Sequence, residues 1–79
     1  MSFCKTTSYT ITDETNGRSE IRMDKFIADT LQEILHDVHR FIQEIYDWVV
    51  KNYPYLSRLA KGNEVRMIAS KKALESIYF

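Results

Sequence analysis

DKFIADTLQEILHDVHRFIQEIYDWVVKNY, residues 24–53, contains neither glycine nor proline, and its apolar residues recur at alternating steps of four and three. Ile27, Leu31, Ile34, Val38, Phe41, Ile45 and Trp48 occupy the a and d positions of three heptads, and Leu35, Ile42 and Val49 widen the stripe on one side. That spacing predicts one long amphipathic helix, about 25–52, burying a broad apolar face. Asp24 suits its N-cap, because a carboxylate there accepts from free N–H groups of the first turn. Pro54 biases Tyr53 out of helical geometry, which ends or kinks the helix there. At 1.5 Å per residue the helix would run roughly 40–45 Å.

Upstream, residues 5–23 read as a β-hairpin. Thr6, Thr7, Tyr9, Thr10, Ile11 and Thr12 favour strand, and Asn16-Gly17 marks a turn. A two-residue loop would set Ile11 against Arg22. A three-residue loop, Thr15-Asn16-Gly17 with Gly17 left-handed, pairs Ile11 with Ile21 and Tyr9 with Met23 and puts one apolar set on one face; this register is preferred. An isolated hairpin is marginal in water, so that face must lie on the helix or extend a sheet.

Downstream, Pro54 suits the first turn of a short helix, about 55–61, with Leu56, Leu59 and Ala60 inward and Gly62 as its stop. Asn63 can cap a last helix, about 64–78, whose apolar side holds Val65, Ala69, Ala73, Leu74, Ile77 and Tyr78. The run Glu64 to Ala69 also suits a strand, with helix only from Lys71; the helical reading is preferred. The expected class is α+β, mostly helical, in a single small domain spanning 1–79.

Equal numbers of basic and acidic residues, 11 each, argue against a purely electrostatic nucleic-acid binder and against an acidic DNA mimic. The balance hides an asymmetry: residues 26–53 carry a net −3 and residues 54–79 a net +3. One cysteine, Cys4, permits no intrachain disulfide and fits a reducing, cytoplasmic setting. The polar, threonine-rich start does not read as a secretory signal, and no apolar run is long enough to span a membrane.

The stripe is too broad for a hairpin and a helix half its length to cover, so self-association is expected, as a homodimer or higher symmetric oligomer through Ile27, Leu31, Ile34, Val38, Phe41, Ile45 and Trp48. Trp48 at d reads as core. Tyr46 and Tyr53, seven apart and off the seam, together with Tyr55, are the candidate partner-binding residues, because tyrosine buries large area at low entropic cost. The apolar end Ile77-Tyr78-Phe79 reads as docking on the core or on a partner.

Signs of chemistry are few. Glu33, His36 and His39 share a helix face, but no third spaced His or Cys accompanies the histidines and Arg40 repels a cation, so no metal is expected. Cys4 lacks a positioned base, Asp37 and Glu44 read as pairing residues flanking an interface, and no glycine-rich phosphate loop exists. Neither catalysis nor a cofactor is expected.

The leading functional expectation is therefore a non-enzymatic interaction protein: a small cytoplasmic regulator or inhibitor of another protein, by analogy of size and composition with phage and mobile-element proteins that act by occlusion. The alternative is a dimeric nucleic-acid-binding transcriptional regulator, with a strand placed in a groove. Arg18, Arg22 and Lys25 would serve it, with Arg58, Lys61, Arg66, Lys71 and Lys72 as a second basic group. An unbroken helix over residues 24–53 departs from the ribbon–helix–helix pattern, which needs a turn between two short helices.

Overall fold

The computed structural model describes residues 5–78. Strand β1 (Thr6–Thr12) and strand β2 (Arg18–Asp24) form an antiparallel hairpin, followed by helices α1 (Lys25–Ile34), α2 (Val38–Asn52) and α3 (Arg58–Tyr78). The class is α+β and mostly helical, as the sequence indicates. The molecule measures 33 × 33 × 19 Å, and its short dimension accommodates two packed layers.

The hairpin register differs from the expected one by two residues. Tyr9 pairs with Ile21, Thr7 with Met23 and Ile11 with Ser19. The loop is still three residues long but is Glu14-Thr15-Asn16, and Asn16, not Gly17, is left-handed (φ 62°). Asp13 is the cause. Its N–H donates to the Gly17 carbonyl at 2.9 Å and its carbonyl accepts from Asn16 N–H at 3.0 Å. Its carboxylate accepts from the N–H groups of Thr15 and Gly17, each at 2.9 Å. These bonds satisfy the turn backbone one position earlier than a glycine-led loop would. A shift of two preserves side-chain parity, so Tyr9, Ile11, Ile21 and Met23 still share the inner face.

The Asp13–Gly17 bond makes that pair the hydrogen-bonded type, so Thr12 and Thr10 direct their backbone groups outward from β1. Two side chains of α2 meet them. The Gln43 amide accepts from Thr12 N–H at 2.8 Å and donates to the Thr12 carbonyl at 2.9 Å, and the His39 ring is hydrogen-bonded to the Thr10 carbonyl.

The single helix expected over 25–52 is two helices. Asp24 caps α1, accepting from Phe26 N–H at 2.8 Å. The chain then turns extended at Leu35 and restarts with Asp37 as N-cap of α2, its carboxylate accepting from Arg40 N–H at 3.0 Å. Asp37 thus serves as the N-cap of α2. The break lets α1 swing away from the α2 axis, so the apolar stripe folds over the chain's own core: Leu31, Val38, Ile42, Ile45, Tyr46 and Val49 are buried with Ile11, Ile21 and Met23 of the hairpin.

The two C-terminal helices expected at 55–61 and 64–78 are one, α3. Pro54 opens a turn in which Leu56 N–H donates to the Tyr53 carbonyl at 3.2 Å, and the Ser57 hydroxyl caps α3 by accepting from Ala60 N–H at 3.2 Å. Gly62 does not stop the helix, because no glycine among the described residues has positive φ. The run 64–69 is helix, and Val65, Ala69 and Ala73, at steps of four, are fully buried against α2 and α1.

Candidate functional site

The hairpin loop is fixed to the helices by a polar node. Glu14 accepts from the Tyr46 hydroxyl of α2 at 2.9 Å and from the Lys61 ammonium of α3 at 2.6 Å. Asp13 accepts from the Thr15 and Ser19 hydroxyls and, at 3.4 Å, from the Arg58 guanidinium. The Thr15 hydroxyl and N–H, followed by Gly17 N–H and the Ser19 hydroxyl, hold the Asp13 carboxyl down at about 2. Donation from Lys61 and then Tyr46 lowers Glu14. Burial, and secondly the Glu14 carboxylate, push the Tyr46 phenol up to about 12. Each acceptor meets a donor, so the node is rigid and charge-assisted.

Of the seven residues expected at an oligomer interface, Leu31, Val38 and Ile45 lie in the chain's own core, Ile27 and Phe41 are half-buried, and Ile34 and Trp48 are exposed. The continuous seam does not exist. Part of it survives as an apolar groove of about 390 Å³ between α2 and α3, lined by Phe41, Ile45, Trp48 and Ile68 and flanked by Glu44 and Lys71.

The aromatic assignments exchange places. Tyr46 is 1% exposed and bound to Glu14, so it offers a partner no surface. Trp48, expected in the core, is 49% exposed. Helix α2 is covered on one side by β1 and on the other by α3, and the stripe that fits between them runs through Val38, Ile42, Tyr46 and Val49. Trp48 packs edge-on to Tyr53 (centroids 5.9 Å apart), and Tyr53 edge-on to Tyr55 (6.3 Å). Tyr53 is half-buried and Tyr55 is 78% exposed, so these two and Trp48 form an aromatic ladder at the foot of the groove.

The eight basic residues do not form one face. Lys25 pairs with Asp29 at 3.0 Å along α1, Lys61 is buried on Glu14, Lys71 borders the apolar groove, and Lys72 lies beside Ile34 and Leu35. Arg22 is exposed on β2. Arg18, Arg58 and Arg66 line one pocket of about 460 Å³ between β2 and α3. The strand–helix–turn–helix order that an unbroken helix would have precluded is present as β2, α1 and α2, although β2 is already paired within its own hairpin.

His36 lies in the break and His39 on the β1 edge, and among the described residues no three His, Cys, Asp or Glu side chains stand close enough to hold a metal ion. Cys4 and Phe79 lie outside the described residues. Among the described residues no helix is long and apolar enough to cross a membrane.

Sequence reasoning missed Glu14 and the burial of Lys61. They stand 47 positions apart, so no local pattern links them. It also missed the grouping of Arg18 with Arg58 and Arg66, although the last two stand eight apart on α3 and share a face at helical spacing. The chain matches no family model, no curated protein and no solved structure.

Proposed function

We propose that this chain is a non-enzymatic protein-interaction module, a small cytoplasmic regulator or inhibitor that binds another protein and self-associates through the groove between α2 and α3. The observation that carries the reading is the groove itself: Phe41, Ile45, Trp48 and Ile68 form an open apolar surface centred on a half-exposed tryptophan, the residue type most enriched where binding energy concentrates. The flanking charges favour a second copy as one occupant. A two-fold axis over the groove sets α2 of each copy on α3 of the other, so Glu44 meets Lys71 twice. Glu44 is held by Arg40 at 3.1 Å on its own helix, an exposed pair weak enough to exchange. Tyr53 and Tyr55, outside the groove proper, remain for the other protein.

Sedimentation equilibrium tests the self-association. The expected result is a concentration-dependent dimer that Trp48→Glu converts to monomer with helicity unchanged. Glu44→Lys should weaken the dimer, and Glu44→Lys with Lys71→Glu should restore it. A wild-type monomer at every concentration refutes this mode of assembly. The partner reading is tested by tagged pull-down after nuclease treatment: one stoichiometric protein, lost in Tyr53→Ala with Tyr55→Ala, is expected, and capture unaffected by the pair removes the ladder from the proposal.

A second reading, a nucleic-acid-binding transcriptional regulator, is favoured by the β2–α1–α2 order and by the three arginines of one pocket. It predicts affinity for duplex DNA falling steeply with salt, and salt-insensitive or absent binding refutes it.

A further inference from the structure

We infer that the pocket between β2 and α3 is an oxyanion site that takes a phosphoryl group. Arg58, Gly62 and Arg66 stand at steps of four on α3, so they share one face, and that face looks onto Arg18, Ser19, Glu20 and Ile21 of β2. Three arginines line the pocket against one acidic residue, Glu20, and the Asp13 carboxylate stands 3.4 Å from Arg58, so the charges gathered there remain net positive. Neither α3 arginine is saturated. Arg58 has a single long bond to Asp13, at 3.4 Å. Arg66 reaches the Arg22 carbonyl at 3.4 Å and the Asn63 side chain. Each guanidinium has five donors in a planar fork, so both retain donors in the geometry that grips phosphate oxygens in pairs.

Gly62 supplies an independent observation. Glycine is among the poorest residues for a helix interior, yet nothing in the fold requires it here. Its φ is not positive, and an added Cβ would meet its nearest neighbours, Arg66 and Ile21, at 3.5–3.8 Å, an ordinary contact. What glycine provides is bare backbone, midway between the two arginines along α3, against which the Arg66 guanidinium lies: its Nη2 and Nη1 stand 3.5 and 3.7 Å from where a Cβ would be. The hairpin register adds a donor. Glu20 pairs with Thr10, whose outward backbone groups face α2, so the Glu20 N–H points the opposite way, out of the free edge of β2 and along the pocket. Charge, guanidinium donors and a free backbone N–H coincide at one place.

The inference rests on the nucleic-acid reading only for one possible source of the phosphoryl group; a small phosphorylated molecule is the other. Amide NMR titration of the full chain with pyrophosphate, at ionic strength held constant with chloride, tests it. The expected result is saturable shifts centred on Glu20, Gly62 and Arg66, with affinity at least about tenfold weaker in Arg58→Gln with Arg66→Gln and reduced in Gly62→Ala. Arg18→Gln, on the exposed strand, serves in place of the double variant if that one loses its far-UV signal. Non-saturating shifts spread over every lysine, or unchanged affinity in the variants, overturn the inference. An oligonucleotide arm separates the sources. Oligonucleotide competing with pyrophosphate upholds the site and places the group on nucleic acid. Pyrophosphate binding without oligonucleotide binding upholds the site and ends the nucleic-acid reading. Oligonucleotide binding indifferent to the arginine variants overturns the site and leaves that reading standing.

Discussion

Replacing Gly62 by alanine has opposite consequences under the two ways of reading this chain. If Gly62 ended a helix, as its place in the sequence suggests, it would occupy the left-handed region, where alanine is strained, and the substitution would cost about 1 kcal/mol. The structure instead places Gly62 as the fifth residue of α3 with no positive φ, and a Cβ there would stand 3.5 Å from Arg66 Nη2 and 3.8 Å from Ile21 Cδ1, with no clash to relieve. The full helix-propensity difference is then recovered, and Gly62→Ala stabilises by about 1 kcal/mol. For a domain of this size that raises Tm by about 4–8 °C. Thermal and urea unfolding followed by far-UV circular dichroism read both sign and size. A lowered Tm would show that the helix does not run through position 62, and the bare backbone on which the Arg66 guanidinium lies would go with it. The raised stability should coincide with weaker pyrophosphate binding, so a more stable protein with a poorer site is the combined expectation.

Asp37→Ala should cost about 1 kcal/mol, read as a lower urea midpoint, because it removes the hydrogen bond that starts α2; an unchanged midpoint would refute the cap. Asp13 titrates at about 2 in the folded chain against 3.8 ordinarily, so its stabilisation is complete above that ordinary value and is lost as pH falls toward 2. Urea midpoints across that window should fall in the wild type and stay flatter in Asp13→Asn, which starts lower. Tyr46 behaves in the opposite sense. Its folded value, about 12, lies above the ordinary 10, so its contribution is complete below pH 10 and is lost as pH rises toward 12. Tyrosinate absorbance should show a phenol titrating at about 12 that disappears in Tyr46→Phe.

The parts of the fold legible in the sequence are those governed by local period. Alternation placed Tyr9, Ile11, Ile21 and Met23 on one face even though the register slipped, because a slip of two conserves parity. Capping chemistry located the start of α1 at Asp24. The break at residues 35–37 was not legible from breakers, because none is there. Its one signal is Asp37, a good N-cap residue that an unbroken heptad pattern absorbs as a g position. The heptads misassigned the core for the same reason: α2 buries the line through Ile42 and Val49, which only the positions of β1 and α3 can select over the a/d line through Phe41 and Trp48. Gly62 and Lys61 mislead alike. One looks like a stop and the other like a surface cation until α3 is laid beside the hairpin and Lys61 meets Glu14.

The Gln43 amide bonds both backbone groups of Thr12, as a neighbouring strand would, and with His39 it occupies the outer side of β1. A hairpin polymerises by adding strands on both sides, each newcomer offering a fresh template to the next. Here one side is already taken by the chain's own helix. A molecule that joins through β2 finds its copy equally closed on the far side, so strand addition ends at a pair and does not propagate into a fibre.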